Sequence, residues 1–155
     1  MATLLDTSDR MTDAQYCGRA ASSGGGSGGS VSSSETGISR SPNPMIPGQV
    51  VFRDVATGEW AHALASTEAY SGPVEIGIAV TPTTGAGQSF TIFRRGLMTV
   101  SGWGLTPGVC YVSETLSGGV QTTATTTAGH VGRIVGWARD TETMYVEPSP
   151  DWVVQ

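Results

Sequence analysis

From Gln49 to the end, the chain meets a turn signal about every 8–12 residues, too often for helices and about right for short strands. The runs between those signals are QVVFRD (49–54), EWAHAL (59–64), PVEIGIAV (73–80), QSFTIFRRG (88–96), LMTVSGWG (97–104), GVCYVSE (108–114), VQTTA (120–124), HVGRIVGWARD (130–140) and ETMYVEP (142–148). Their side chains alternate with period two, as strands require. Val74, Ile76, Ile78 and Val80 are expected on one face of their strand, Val131, Arg133, Val135 and Trp137 on one face of another, and Met144 with Val146 on one face of the last. Eight or nine such strands predict an all-β body over 49–155, a small antiparallel β-barrel or sandwich. Gly77, Gly102 and Gly136 fall inside strand patterns and suggest bulges or bends there.

Upstream of that body the composition changes twice. Residues 1–21 carry modest amphipathic character, and SDRMTDAQYCGRAA has the pattern of one short helix with Ser8 or Thr12 as N-cap. Such a helix is marginal alone and needs something to dock on. Residues 22–36, SSGGGSGGSVSSSET, cannot bury enough surface to offset chain entropy, and GISRSPNPMIPG (37–48) holds three prolines. The expected organisation is therefore a docking segment (1–21), a Gly/Ser/Pro-rich linker (22–48) and the β-rich body (49–155).

Charge is sparse. Only 14% of residues are charged, all eight positive ones are arginine, and the net charge is −5. A surface so weakly self-repelling suits faces covered by neighbours in an assembly. It does not suit a phosphate backbone, which demands clustered cations, so no nucleic-acid partner is expected. The adjacent pair Arg94–Arg95 would point to opposite faces of a strand. The first ten residues have neither a basic stretch nor an apolar run, and no segment approaches the roughly 18 apolar residues that span a bilayer. No secretory leader and no membrane are expected. Cys17 and Cys110 are expected as thiols, Cys110 as a small core residue.

The search for chemistry finds none. GGSGG (25–29) matches G-x-S-x-G, but a nucleophile elbow needs a strand before it and a helix after it. His62 and His130 have no Cys-x-x-Cys or His-x-x-x-His company, so no metal is expected. Nor does a dinucleotide fingerprint or a pair of catalytic carboxylates stand out, and the expectation is no cofactor and no enzyme. The tryptophans remain, and buried or interfacial anchoring is their usual use. Leu4, Leu5, Met11 and Tyr16 on the arm, with Trp103 and Trp152 on the body, are the candidate interface residues.

One resemblance covers about two thirds of the chain. Leu105-Thr106-Pro107-Gly108, Tyr111-Val112-Ser113, the Gly118-Gly119 turn, the threonine run from Thr122 to Thr127, Val135-Gly136-Trp137-Ala138 and Met144-Tyr145-Val146 follow in the order seen in β-modules of tailed-bacteriophage virion proteins. PGQVVFRDVATGEWAHALA (47–65) and VEIGIAV (74–80) are similar to the start of such modules in capsid-decoration proteins. Trp137 and Arg139 stand where that pattern carries smaller residues. The resemblance implies a structural protein with no catalytic residues: a decoration or cement protein on the outside of a phage head. Its partners would be the major capsid protein and its own copies, as a homotrimer, with assembly in the host cytoplasm. The alternative is a tail or head fibre adhesin that binds host-surface glycans through exposed aromatics.

Overall fold

The computed structural model describes residues 32–155. The helix expected within 1–21, the thiol of Cys17 and the interface candidates Leu4, Leu5, Met11 and Tyr16 lie outside the described residues. The described chain is all-β. Its strands are β1 (Ser33–Ile38), β2 (Val50–Arg53), β3 (Trp60–His62), β4 (Ile76–Ala79), β5 (Ser89–Thr99), β6 (Gly108–Val112), β7 (Val120–Gln121), β8 (Val131–Gly132), β9 (Ile134–Ala138), β10 (Thr143–Val146) and β11 (Val153–Val154), with one helical turn, α1 (Glu68–Ser71), between β3 and β4.

Nine strands form one curled antiparallel sheet in the order β3-β2-β4-β5-β10-β9-β6-β7, with β1 added against β5, while β8 pairs with β11 apart from it. The long strand β5 is the spine. Its first half pairs with β4 and β1, its second half with β10. The change of partner falls at Gly96, whose φ of 117° is closed to ordinary side chains. The adjacent runs QSFTIFRRG and LMTVSGWG are thus joined in one continuous strand through Thr99. The curl brings the two ends of the sheet together. Val50 N–H donates to Gly118 O, Gly118 N–H to Ala63 O and Ala65 N–H to Ser113 O, so the β6–β7 hairpin satisfies backbone groups beside β2 and β3. The result is a half-barrel.

Its interior holds the main core: Val50, Phe52, Ile76, Ile78, Cys110, Val112, Val135, Met144 and Val146 among others. Burial raises the pKa of the Cys110 thiol, as befits a small core residue. A second cluster, Met45, Val51, Trp60, Ala79, Phe90 and Ile92, lies on the other face of β2, β3, β4 and β5. These strands are therefore covered on both sides, and β4 is buried at every position, so the one-sided alternation expected for 73–80 describes only half of its burial.

The covering piece corrects the domain boundary. The linker was expected to run to residue 48, but Ser33–Ile38 pairs residue by residue with β5, and Met45 is fully buried. β1 escapes a pattern reading because it is held by its backbone: all five of its side chains are exposed, and only Gly37 is buried. Residues 39–48 then form a strap over the second cluster. Ser39 N–H donates to Gln88 O, Arg40 N–H to Trp60 O and Gly48 N–H to Ala79 O. The body begins near Ser33.

Candidate functional site

The outer face of the β5–β10–β9–β6 half carries the main feature. Tyr145 of β10 stands directly opposite Leu97 of β5 on one side and Trp137 of β9 on the other, and Trp137 stands opposite Val109 of β6. Directly opposed residues on one face touch side by side. The row Leu97–Tyr145–Trp137–Val109 therefore crosses four strands, roughly 14 Å at about 4.8 Å per strand. Leu97 is 49% exposed and Trp137 58%. Tyr145 and Val109 are half-buried. The row is bordered by the Arg95–Glu147 ion pair and, on the other side, by Thr99 and Thr143, whose hydroxyls lie 3.2 Å apart.

Parity places Trp137 outside. The β6–β9 register passes from Cys110↔Gly136 to Tyr111↔Ile134 and skips Val135. Such a bulge inverts the facing of everything beyond it. Val135 and Gly136 are both buried, Ile134 and Trp137 both exposed. Arg133 and Val135 do face inward, whereas Trp137, expected beside them, faces out.

The tryptophans named from the sequence sit elsewhere. Trp103 donates its indole N–H to Gly48 O at 3.0 Å and so ties the strap to the loop after β5. It lines a groove of about 900 Å³ with Ile46, Val100, Leu116 and Val120. Trp152 lines a different cleft with Arg94 and Arg133, by the approach to β4. The two do not share a site. Trp60 is buried in the second cluster, with the Arg94 guanidinium 5.3 Å from its ring centroid.

The histidines are engaged locally. His62 Nδ1 lies 3.1 Å from Ser41 Oγ and Nε2 2.9 Å from Gln49 Oε1, which fastens the strap to β3; burial lowers its pKa. His130 Nδ1 lies 3.1 Å from Glu114 Oε2, which also accepts the Thr125 hydroxyl. Among the described residues, no three His, Cys, Asp or Glu side chains converge as metal ligands. No family model, no curated protein and no solved structure matches the chain.

The Glu114 cluster organises the threonine-rich loop between β7 and β8. Its carboxyl is held below the usual carboxylate range, chiefly by the Thr125 hydroxyl and then by His130. A depressed carboxylate contributes stability that is present above its unfolded pKa and disappears as pH falls through its folded value. Glu114→Gln is therefore expected to lower the thermal midpoint near pH 6, with the gap to wild type closing below about pH 4. A gap that stays constant across thermal scans in that range would show that Glu114 does not order the loop.

Proposed function

We propose that the chain is a structural virion protein that decorates the outside of a tailed-phage head and stabilises it. In this reading it assembles as a homotrimer and meets the major capsid protein through the face of β5, β10, β9 and β6. The observation that carries the reading is the row Leu97–Tyr145–Trp137–Val109, an apolar strip on a sheet face that no described segment covers. Aromatic residues of this kind anchor protein interfaces. The sparse charge of the surface and the order of the motifs from Leu105 to Val146 support the same reading.

The decisive experiment adds purified protein to expanded capsid shells and measures bound copies. Trp137→Ala is expected to weaken binding about thirtyfold or more, the loss of an aromatic anchor worth ~2 kcal/mol or above. The fold survives, because the side chain is mostly in solvent. Unchanged shell binding by the variant, or no binding by wild type, overturns the reading. Trp137 and Tyr145, side by side on an open sheet face, also favour a glycan-binding adhesin as the second reading. Glycan-array binding lost in Trp137→Ala, with no affinity for shells, would select it.

A further inference from the structure

Arg133 is 6% exposed as a residue, yet it makes no ion pair with any described residue. Its partners are neutral carbonyls. Nε donates to Ser149 O at 3.0 Å, and Nη1 donates to Ser71 O at 3.1 Å, to Val74 O at 2.7 Å and to Gly72 O. These contacts clamp the turn after α1 to the segment after β10, and they fix the plane of the guanidinium. They leave its full positive charge uncompensated, which is costly in a buried position.

Nη2 takes no part in the clamp. No fully buried side-chain nitrogen or oxygen among the described residues lacks a partner, so Nη2 must keep an opening to solvent. Arg133 lines a cleft of about 490 Å³, with Pro73, Glu75, Arg94, Pro148, Pro150 and Trp152. That size falls in the range of small-molecule sites. The clamp holds the guanidinium in place beside this cleft with Nη2 as its one nitrogen not engaged by the carbonyls.

A second cation faces the same space. Arg94 is near enough for its charge to help depress the pKa of Arg133, after burial itself. Arg94 is already shared between Glu35 at 3.3 Å and Glu75 at 3.6 Å, and Glu75 is shared again with Arg53 at 3.3 Å. Of the charged residues lining the cleft, Arg94 and Arg133 are positive and Glu75 negative, which leaves a surplus of one positive charge.

We propose that this cleft is a binding site for a carboxylate, which accepts from Nη2 of Arg133 and is flanked by Arg94, with its carbon body against Trp152 and the three prolines. A monoanion matches the single surplus charge, whereas a phosphate dianion would face Glu75 with half of its charge unmatched. The contact to Nη2 is a charge-assisted hydrogen bond, the stronger kind. The indole of Trp152, partly exposed at 37%, offers a face for a flat or apolar body. The site stands apart from the Trp137 row and does not depend on shell binding. Arg94→Gln tests the cleft, and Trp137→Ala tests the sheet face.

The test is an amide and indole NMR titration of the full chain with benzoate, benzyl alcohol and inorganic phosphate as probes. Benzoate is expected to shift the Trp152 indole N–H and the amides of Gly72, Val74 and Ser149, with a Kd on the order of 1 mM. Arg94→Gln is expected to weaken it about tenfold, and Glu75→Gln to tighten it about threefold by removing the negative lining charge. Both substituted side chains are partly exposed, so neither variant depends on refolding the clamp. Benzyl alcohol, which keeps the ring and lacks the charge, should leave the same signals in place, and phosphate should bind more weakly than benzoate. A short peptide bearing one glutamate separates the sources of the group. Tighter binding than benzoate makes it a partner protein's side chain, and weaker binding makes it a free small acid; either supports the site. Equal shifts with benzyl alcohol, no benzoate response at about 50 mM, or unchanged affinity in both variants overturns the proposal.

Discussion

Gly136→Ala is expected to cost about 3 kcal/mol or more of folding stability, a large share of what a domain of this size possesses. The cause is space. A Cβ at Gly136 would overlap the carbonyl oxygen of Tyr145 and lie 3.1 Å from the Cα of Val146. Both obstacles are backbone, so no rotamer change relieves them, and β9 must move away from β10. That separation breaks the pairing of Gly136 with Val146 and pulls on Met144 and Val146, which are both fully buried. The lower chain entropy of an alanine in the unfolded state returns less than 1 kcal/mol, too little to offset the overlap. Gly132→Ala is the matched control. A Cβ there would meet only Gln155 Nε2 at 3.6 Å and Val153 O at 3.8 Å, which are ordinary contacts. Its effect is expected to stay within about 0.5 kcal/mol. Urea unfolding of both variants measures the difference. Equal midpoints would mean that β9 and β10 are not packed as closely as this.

The same glycine shows how far the sequence could be read. Its place in a strand suggested a bulge, and a bulge does lie beside it, at Val135. Period two then carried Val131, Arg133, Val135 and Trp137 to one face, because alternation has no means of registering an inserted residue. The skipped position is visible only once β6 is laid against β9. Trp137, the most exposed of the four tryptophans, is not among the candidate tryptophans read from the sequence, which are Trp103 and Trp152. In β10, where no bulge intervenes and only one face is covered, the pattern holds and Met144 and Val146 both face the core. The cleft at Arg133 was out of reach for another reason. Alternation sets Arg133 beside Val131 and Val135 but names no partner for it, and only tertiary contact places the carbonyls of Ser71, Gly72, Val74 and Ser149 around it.

Two truncations separate the arm from the body. Removal of residues 1–31 is expected to shift the thermal midpoint by no more than about 2 °C, since β1 and the strap remain in place. Removal of residues 1–48 is expected to abolish cooperative melting or to lower the midpoint by about 15 °C or more. It takes away a strand paired along the first half of β5, and it takes away Met45. Loss of a buried methionine side chain alone costs about 2–5 kcal/mol, and about 4 °C of midpoint accompanies each of these in a domain of this size. The greater loss is the cover. Val51, Trp60, Phe90 and Ile92 are each no more than 2% exposed, and without the strap they become a contiguous apolar face. Such a face invites aggregation, so light scattering should rise together with the loss of the transition. The cut at residue 36, which the Gly/Ser composition recommends, falls inside β1 and should behave closer to the longer deletion than to the shorter one. If the 1–48 deletion melts like the full chain, the second cluster stands without its strap and the body begins at Gln49. If the 1–31 deletion already destabilises, residues before Ser32 contribute packing of their own.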